Sequence, residues 1–272
     1  MRYSEFLDSQ PFRHSTEHQR KSISGKYNGV KNGIRNIDPL APMDVFNMPL
    51  DVEETESAIN AFKQHKASES TQIPSEALQQ GGQALTSALH KVFCSWFDLG
   101  ITPDEMQTAM VIPLFKKGDV TNTANYRPIS LLNSIFKTYE KILERRLRAF
   151  IEGNNLLTPL QMGARAKTGA TEAIFQLLTA TQYNMSNNNP LFLTLLDLSK
   201  AYDRVWRDGL WVKLHSLGIQ GQLLRALHST YSNPTFTVKI GDCQSESSQC
   251  TNGLRQGSVL SSTLCNPFLG CD

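Results

Sequence analysis

The chain has 272 residues, of which 40% are hydrophobic, so it is long enough to bury a core and to form one large domain or two small ones. Its formal net charge at pH 7 is only +2, so a polyanionic partner is indicated only where basic residues cluster. Five cysteines without Cys-x-x-Cys spacing argue against a disulfide framework and against a zinc site. No apolar run approaches the roughly 20 residues of a membrane span, and the N-terminus lacks the apolar region of a signal peptide. We therefore expect an intracellular protein of the nucleus or the cytoplasm that is not secreted.

The first 50 residues are predicted to be a flexible linker, because they are mostly polar and show no helical or strand period. Asp51 begins a helix that is predicted to reach about Lys66, since apolar residues follow it at helical spacing. A second helix is predicted from Pro74 to Gly100, with the Gly81-Gly82 pair as a point of interruption.

A β-hairpin is predicted next. Residues 109–115 and 126–132 are rich in β-prone side chains, and a Lys-Lys-Gly-Asp turn signal separates them. Lys116 and Lys117 would then lie at a basic tip. They are candidates for contact with nucleic acid, although a solvated tip explains them equally well.

A strong amphipathic helix is predicted from Asn133 to Gly153. Its second face is basic, because four cations recur at spacings of four, four and three residues: Lys137, Lys141, Arg145 and Arg148. Such a face can follow a nucleic-acid backbone, and it can equally be a solvated face with internal ion pairs.

The C-terminal half mixes helices and strands. Helices are predicted at 171–183, 206–217 and 223–231, and alternating apolar residues at 235–240 predict a strand before a Gly241-Asp242 turn. The fold class is therefore α/β, of the mixed α+β kind.

The stretch around Asp197 is the most informative in the chain. Residues 191–196 form a nearly continuous apolar run, which predicts a strand buried on both faces. Asp197 follows directly, and a carboxylate at a strand end is a suitable ligand for Mg2+. The alternative is a surface aspartate that opens a turn.

Four short blocks occur in a fixed order: KKGD at 116–119, NYRPISLL at 125–132, LLDLSKAYD at 195–203 and GLRQGSVLS at 253–261. Together they resemble the reverse transcriptase domain of non-LTR (LINE-like) retrotransposons, over roughly residues 51–269. The resemblance implies a partial domain at 51–272 with a right-hand polymerase fold, made of fingers and the N-terminal part of the palm, with the thumb absent.

The resemblance also implies roles in the palm. Asp197 would be the catalytic residue that binds Mg2+, as phosphoryl transfer by two metal ions requires carboxylate ligands. The backbone at Lys200 and Ala201 would meet the triphosphate of the incoming nucleotide. Tyr202 would lie beneath its sugar and exclude a 2′-hydroxyl, or it would merely pack. Asp203 is expected to be structural.

Further roles concern the incoming nucleotide and the nucleic acid. Arg127 would bind the triphosphate, while Gln256 and Gly257 would lie beside the nascent base pair. The resemblance implies that Arg165 and the basic helix face contact nucleic acid, and that Arg255 either contacts phosphate or is simply exposed. The implied partners are an RNA template, a DNA primer and dNTPs.

The chain also departs from the family pattern. The Tyr-x-Asp-Asp motif of the palm is missing, Ser262 replaces the usual proline, and residues 66–70 and 161–170 differ from the usual motifs. We therefore expect this fragment to be inactive alone. The alternatives are a non-catalytic RNA-binding remnant and a fragment without function.

Overall fold

The computed structural model describes residues 44–63, 73–165 and 168–270. In chain order its elements are α1 (Asp44–Asn47), α2 (Val52–Asn60), α3 (Ser75–Gln80), α4 (Gly82–Leu99), α5 (Asp104–Gln107), β1 (Ala109–Phe115), β2 (Tyr126–Leu131), α6 (Ser134–Gly153), α7 (Ala170–Ser186), α8 (Arg207–Ser216), α9 (Gly221–Ser229), β3 (Thr235–Ile240), β4 (Cys243–Gln244), β5 (Ser248–Gln249) and α10 (Ser261–Gly270). The predicted mixed α/β class is confirmed. Most of the linker predicted at 1–50 and the unusual turn at 66–70 lie outside the described residues.

Helix α2 begins where the sequence predicts it. Asp51 accepts a hydrogen bond from the Glu53 amide (3.2 Å), and the Asp51 amide donates to the Glu54 carboxylate (2.8 Å). Such a capping box satisfies amides that otherwise lack partners at a helix start, and loss of the cap costs about 1 kcal/mol. The helix ends at Asn60, earlier than the predicted Lys66.

The Gly81-Gly82 pair does divide the second predicted helix. Helix α3 ends before Gly81, and α4 begins at Gly82, whose φ of +66° cannot continue a right-handed helix. Gly100, also left-handed, ends α4 as predicted.

The sheet has the order β2-β1-β3-β4, and β5 also pairs with β3. Strands β1 and β2 form the predicted antiparallel hairpin, with Met110 opposite Leu131 and Phe115 opposite Tyr126. Strand β3 runs parallel to β1, and it turns at Gly241-Asp242 to pair with β4. The predicted strand and its turn are therefore also present, and with β4 they form a second hairpin.

Helix α6 supplies much of the main core. Its predicted apolar face is almost fully buried, and it packs against α2, α9 and α10. The buried side chains of this face are Phe136, Tyr139, Ile142, Leu143, Leu147 and Ile151.

The predicted buried strand at 191–196 is wrong. The structure has no regular strand there, and Phe192, Leu195 and Leu196 are 92, 83 and 90% exposed. A strand needs a hydrogen-bonding neighbour, and none of the strands in the described part of the chain pairs with this segment. The preceding helix α7 likewise buries none of its side chains.

None of the helices in the described ranges is long and apolar enough to cross a membrane.

Candidate functional site

The first component of the site is a tight turn at residues 200–205. The Arg204 amide donates to the Lys200 carbonyl (3.1 Å), and Lys200 adopts the left-handed conformation with φ +53°. A second segment holds the turn in place: the Gly253 amide donates to the Val205 carbonyl (3.0 Å) and the Leu254 amide to the Tyr202 carbonyl (2.8 Å). The third and fourth sequence blocks are therefore joined by backbone hydrogen bonds.

The second component is the loop at residues 253–258, which also touches the hairpin. The Ser130 amide, on β2, donates to the Gln256 carbonyl at 2.7 Å. The loop approaches both neighbouring segments closely. A Cβ at Gly257 would lie 2.4 Å from the Ser130 carbonyl oxygen on β2, and a Cβ at Gly253 would lie 2.7 Å from the Asp203 carbonyl oxygen in the turn. Glycine is thus required at both contacts.

The structure therefore brings together the turn, the loop and strand β2, which are distant in sequence. Arg127 is exposed on β2, opposite Leu114 of β1. Lys116 and Lys117 are exposed beyond the end of β1, and the Lys116 amide donates to the Asn125 carbonyl (2.8 Å) to close the hairpin.

Charges of both signs meet at the turn. Partial desolvation lowers the pKa of the Lys200 ammonium and raises the pKa of the Asp203 carboxyl. Their mutual attraction opposes both shifts, and the charge of Lys116 reaches both groups. The hairpin tip and the turn therefore share one electrostatic environment.

Glu140 is a site residue that the sequence analysis missed. Its fully buried carboxylate accepts hydrogen bonds from the Ser258 hydroxyl (2.7 Å) and the Val259 amide (3.1 Å), and Arg255 lies 3.4 Å away. Helix α6 thereby anchors the loop that carries Gln256. The available signal was its position beside Phe136 and Tyr139 in the apolar stripe, where a carboxylate is out of place unless it has partners.

Tyr202 is half-buried and packs against the main core. Its hydroxyl lies 3.4 Å from that of Ser262, the residue that replaces the usual proline.

Residues 115–270 match the family described as reverse transcriptase (RNA-dependent DNA polymerase). The chain belongs to this family. The RNA-directed DNA polymerase from mobile element jockey of Drosophila melanogaster is 30% identical over 197 residues, which are 72% of this chain and 20% of that protein. The corresponding jockey polymerase of Drosophila funebris is 27% identical over 221 residues, 81% of this chain and 24% of that protein.

A third relative is the retrovirus-related Pol polyprotein from type-1 retrotransposable element R2 of Popillia japonica. It is 28% identical over 169 residues, which are 62% of this chain and 23% of that protein. The chain thus spans a quarter or less of the length of these three relatives. The predicted resemblance to the reverse transcriptase domain of non-LTR retrotransposons is confirmed.

In this member of the reverse transcriptase family, Asp197 lies in the exposed segment before the turn. A two-metal site requires several carboxylate ligands. Within residues 44–63, 73–165 and 168–270, no group of three or more His, Cys, Asp or Glu is placed to hold a metal ion. The donor set that surrounds Asp197 therefore does not by itself form a two-metal site.

Arg255 is not on the surface, and the prediction that it is exposed or contacts phosphate is wrong. Its guanidinium is buried, donates to the carbonyls of Gln107 (3.1 Å) and Thr230 (2.8 Å), and lies over the rings of Phe136 and Tyr231. These internal acceptors hold the guanidinium away from any nucleic acid.

The basic face of α6 is partly engaged inside the protein. Arg145 donates to the Ser57 hydroxyl (2.8 Å), and Arg148 forms a close ion pair with Glu144. Lys137 and Lys141 are half-buried on the same helix. The alternative of an internal ion pair thus describes Arg148, whereas Arg145 bonds to neutral groups of Ser57.

Arg165 is also paired. Its guanidinium binds both carboxylate oxygens of Glu152, at 3.1 and 2.5 Å, and donates to the Thr158 carbonyl. The pair lowers the pKa of Glu152 and raises that of Arg165.

Proposed function

We propose that the chain is the nucleotide-binding part of an RNA-directed DNA polymerase that acts with an RNA template, a DNA primer and dNTPs. One observation carries the proposal: backbone hydrogen bonds join the turn at 200–205, the loop at 253–258 and strand β2. In a right-hand polymerase fold the hairpin and neighbouring helices would be the fingers, and the turn with Asp197 would be part of the palm.

The triphosphate of the incoming nucleotide would bind between β2 and the turn. Arg127 is exposed on β2, and a guanidinium presents a rigid fork of donors to phosphate oxygens. Lys200 has a left-handed backbone, and successive amides around such a residue form a concave anion site, which supports a role for Lys200 and Ala201.

Gln256 and Gly257 would lie beside the new base pair. The side-chain oxygen of Gln256 is buried and has no hydrogen-bond partner among the described residues, so it can accept a hydrogen bond from a base. Gly257 keeps this part of the loop free of side-chain bulk.

Tyr202 would exclude the 2′-hydroxyl of a ribonucleotide. Its packing against the core limits the movement of the ring, which supports this role. Replacement by valine should admit ribonucleotides, and unchanged sugar discrimination would refute the gate.

Asp197 is the residue that we propose as a ligand for Mg2+, and it would contribute one carboxylate. The test uses a chimera in which residues 115–270 replace the matching segment of the jockey polymerase of Drosophila melanogaster. The chimera should extend a DNA primer on an RNA template in the presence of Mg2+ and dNTPs. Asp197→Asn should abolish extension, and activity in that variant would contradict the assignment.

Lys116, Lys117, Lys137 and Lys141 are proposed to contact template or primer phosphates. Binding of the 272-residue chain to RNA should weaken steeply with salt, and each Lys→Gln change should reduce the salt dependence. If the chain binds RNA while the chimera cannot extend a primer, the RNA-binding remnant is the correct alternative.

A further inference from the structure

A cleft of about 340 Å³ opens next to the candidate site. The start of α8, the end of α9 and the segment after β5 form its walls. We name it the Trp206 cleft, and its aromatic lining residues are Trp206, Trp211, His228 and Tyr231. Its volume lies in the usual range of small-ligand sites.

Helix α8 has a glycine, Gly209, where it packs against the Trp206 ring. A Cβ at Gly209 would lie 2.4 Å from Cε3 and 2.8 Å from Cζ3 of the Trp206 indole. Glycine inside a helix costs about 1 kcal/mol relative to alanine, yet only glycine lets the indole lie here. Trp206 is partly exposed, whereas Trp211 is buried.

The residues at the floor of the cleft contact one another. Buried Arg207 donates to the carbonyls of Cys250 and Tyr231, and its guanidinium lies 5.7 Å from the Tyr231 ring centroid. The Trp211 ring is 5.4 Å from that of His228 and 6.1 Å from that of Tyr231. A ligand would therefore meet a rigid surface, which reduces the entropy cost of binding.

The remaining lining residues are mostly polar. They include the Asp208 carboxylate, the hydroxyls of Ser232 and Thr251, and the amides of Asn233 and Asn252. Burial lowers the pKa of His228, so its imidazole is neutral at pH 7 and offers one donor and one acceptor. A partly open indole with donors and acceptors around it suits a flat, polar heterocycle.

We propose that the Trp206 cleft binds one unstacked base of a single-stranded RNA, with the base stacked on the indole. Proteins commonly bind single strands by such stacking together with hydrogen bonds to the base edge. The inference rests on the proposed function, because the cleft adjoins the candidate site: Trp206 follows Val205, whose carbonyl accepts the Gly253 amide, and Asn252 precedes Gly253. An RNA strand at the site would have the cleft beside it.

The test is a titration of the 272-residue chain with a short single-stranded RNA, followed by fluorescence anisotropy and by quenching of tryptophan emission. Trp206→Ala should weaken binding on the order of ten- to a hundredfold, the usual effect of losing one stacked base. The salt dependence should not change, because no phosphate contact is lost. Trp206→Phe keeps a stacking ring and should bind within a few-fold of the unchanged chain.

Two further variants separate stacking from folding. Gly209→Ala keeps Trp206 but pushes the indole aside, so it should also weaken RNA binding. Trp96→Phe alters a tryptophan that contacts Phe93 and Tyr139 elsewhere, and it should leave affinity and most of the RNA-induced quenching in place.

Two results would overturn the cleft assignment: unchanged affinity in Trp206→Ala, or equal affinity of the chain for an abasic oligonucleotide of the same length. Neither result would affect the polymerase proposal, which depends on primer extension by the chimera. Conversely, an inactive chimera combined with Trp206-dependent RNA binding would contradict only the polymerase proposal.

Discussion

Glu140 and Arg255 lie 3.4 Å apart in the protein interior, and both side chains are excluded from water. A buried ion pair adds little net stability, but the loss of one partner leaves the other charge buried and uncompensated. The pair also fixes the position of the loop that carries Gln256, since Glu140 binds Ser258 and Val259. The shape of the candidate site thus depends on a charge that no ligand touches.

Glu140→Ala should therefore lower the free energy of unfolding by about 3–5 kcal/mol, since it strands the Arg255 charge. Glu140→Gln keeps the volume and an acceptor for Ser258, and it should cost less. Urea denaturation of both variants and of the unchanged protein measures these losses, and no loss in either variant would show that the Glu140 carboxylate is unimportant for stability.

The pH dependence should have a definite sign. Burial raises the pKa of Glu140 above 4.5, although Arg255 and Ser258 oppose the shift. The folded state therefore holds this proton more tightly, so the stability that Glu140 contributes is present below about pH 4.5 and is lost as the pH rises through the folded-state pKa. The unchanged protein should lose stability relative to Glu140→Gln over that range in urea denaturation at a series of pH values. If the unchanged protein instead gains stability relative to Glu140→Gln as the pH rises, folding lowers the pKa of Glu140 rather than raising it.

A substitution at Tyr139 should raise the stability of the protein rather than lower it. Its hydroxyl is buried without a hydrogen-bond partner among the described residues, and burial strongly raises its pKa. A buried polar group without a partner costs about 1–3 kcal/mol, so Tyr139→Phe should raise the midpoint of thermal unfolding. Calorimetry would check this, with Tyr126→Phe as a control that removes a bonded hydroxyl (2.9 Å to the Val120 carbonyl).

At the scale of elements, the closest contact with the 200–205 turn depends on Gly253, which combines φ +79° with an approach to the Asp203 backbone. Neighbouring backbone cannot move aside as a flexible side chain can. The position therefore demands both a left-handed conformation and the absence of a Cβ.

Gly253→Ala should accordingly destabilise the protein more than Gly241→Ala. Both glycines have positive φ, so both changes bear a conformational cost of roughly 1–2 kcal/mol. A Cβ at Gly241 meets nothing within 4 Å, so the excess at Gly253 measures the contact with the turn. Chemical denaturation of the two variants gives this excess, and equal losses would mean that the turn and the loop move apart freely.

Local patterns predicted local elements well. The α6 stripe, the two hairpins and the division of α3 from α4 all depend on near neighbours in sequence, and all are present. The buried strand before Asp197 failed because an apolar run does not reveal whether another strand pairs with it. Glu140 and Arg255 were misjudged for a similar reason: they pair with each other in the interior, although they lie more than a hundred residues apart in sequence.

On the scale of the whole molecule, apolar side chains are unevenly distributed. Helix α7 and the segment up to Leu198 expose a continuous series of them, in contrast to the well-buried core formed around α6. They are Ile174, Phe175, Leu177, Leu178, Tyr183, Met185, Leu191, Phe192, Leu193, Leu195, Leu196 and Leu198. Exposed apolar patches of this kind favour association.

The double change Phe192→Lys and Leu196→Lys should therefore raise the concentration at which the chain remains monomeric. The thermal midpoint should not fall, because both side chains are about nine-tenths exposed. Sedimentation measurements over a concentration series would test this, with Leu160→Lys, 77% exposed and outside the patch, as the control. The same degree of association in all three proteins would exclude the patch as its cause.

The parallel pairing of β1 with β3 also has a consequence for the order of events during translation. Ala109 is paired with Phe236, so strand β1 and its hairpin leave the ribosome long before β3 exists. Closing so long a loop is slow compared with forming a local hairpin. Glu140 must likewise wait for Arg255, Ser258 and Val259. A ribosome that stalls ahead of these residues would hold a nascent chain whose central helix cannot yet bury its carboxylate.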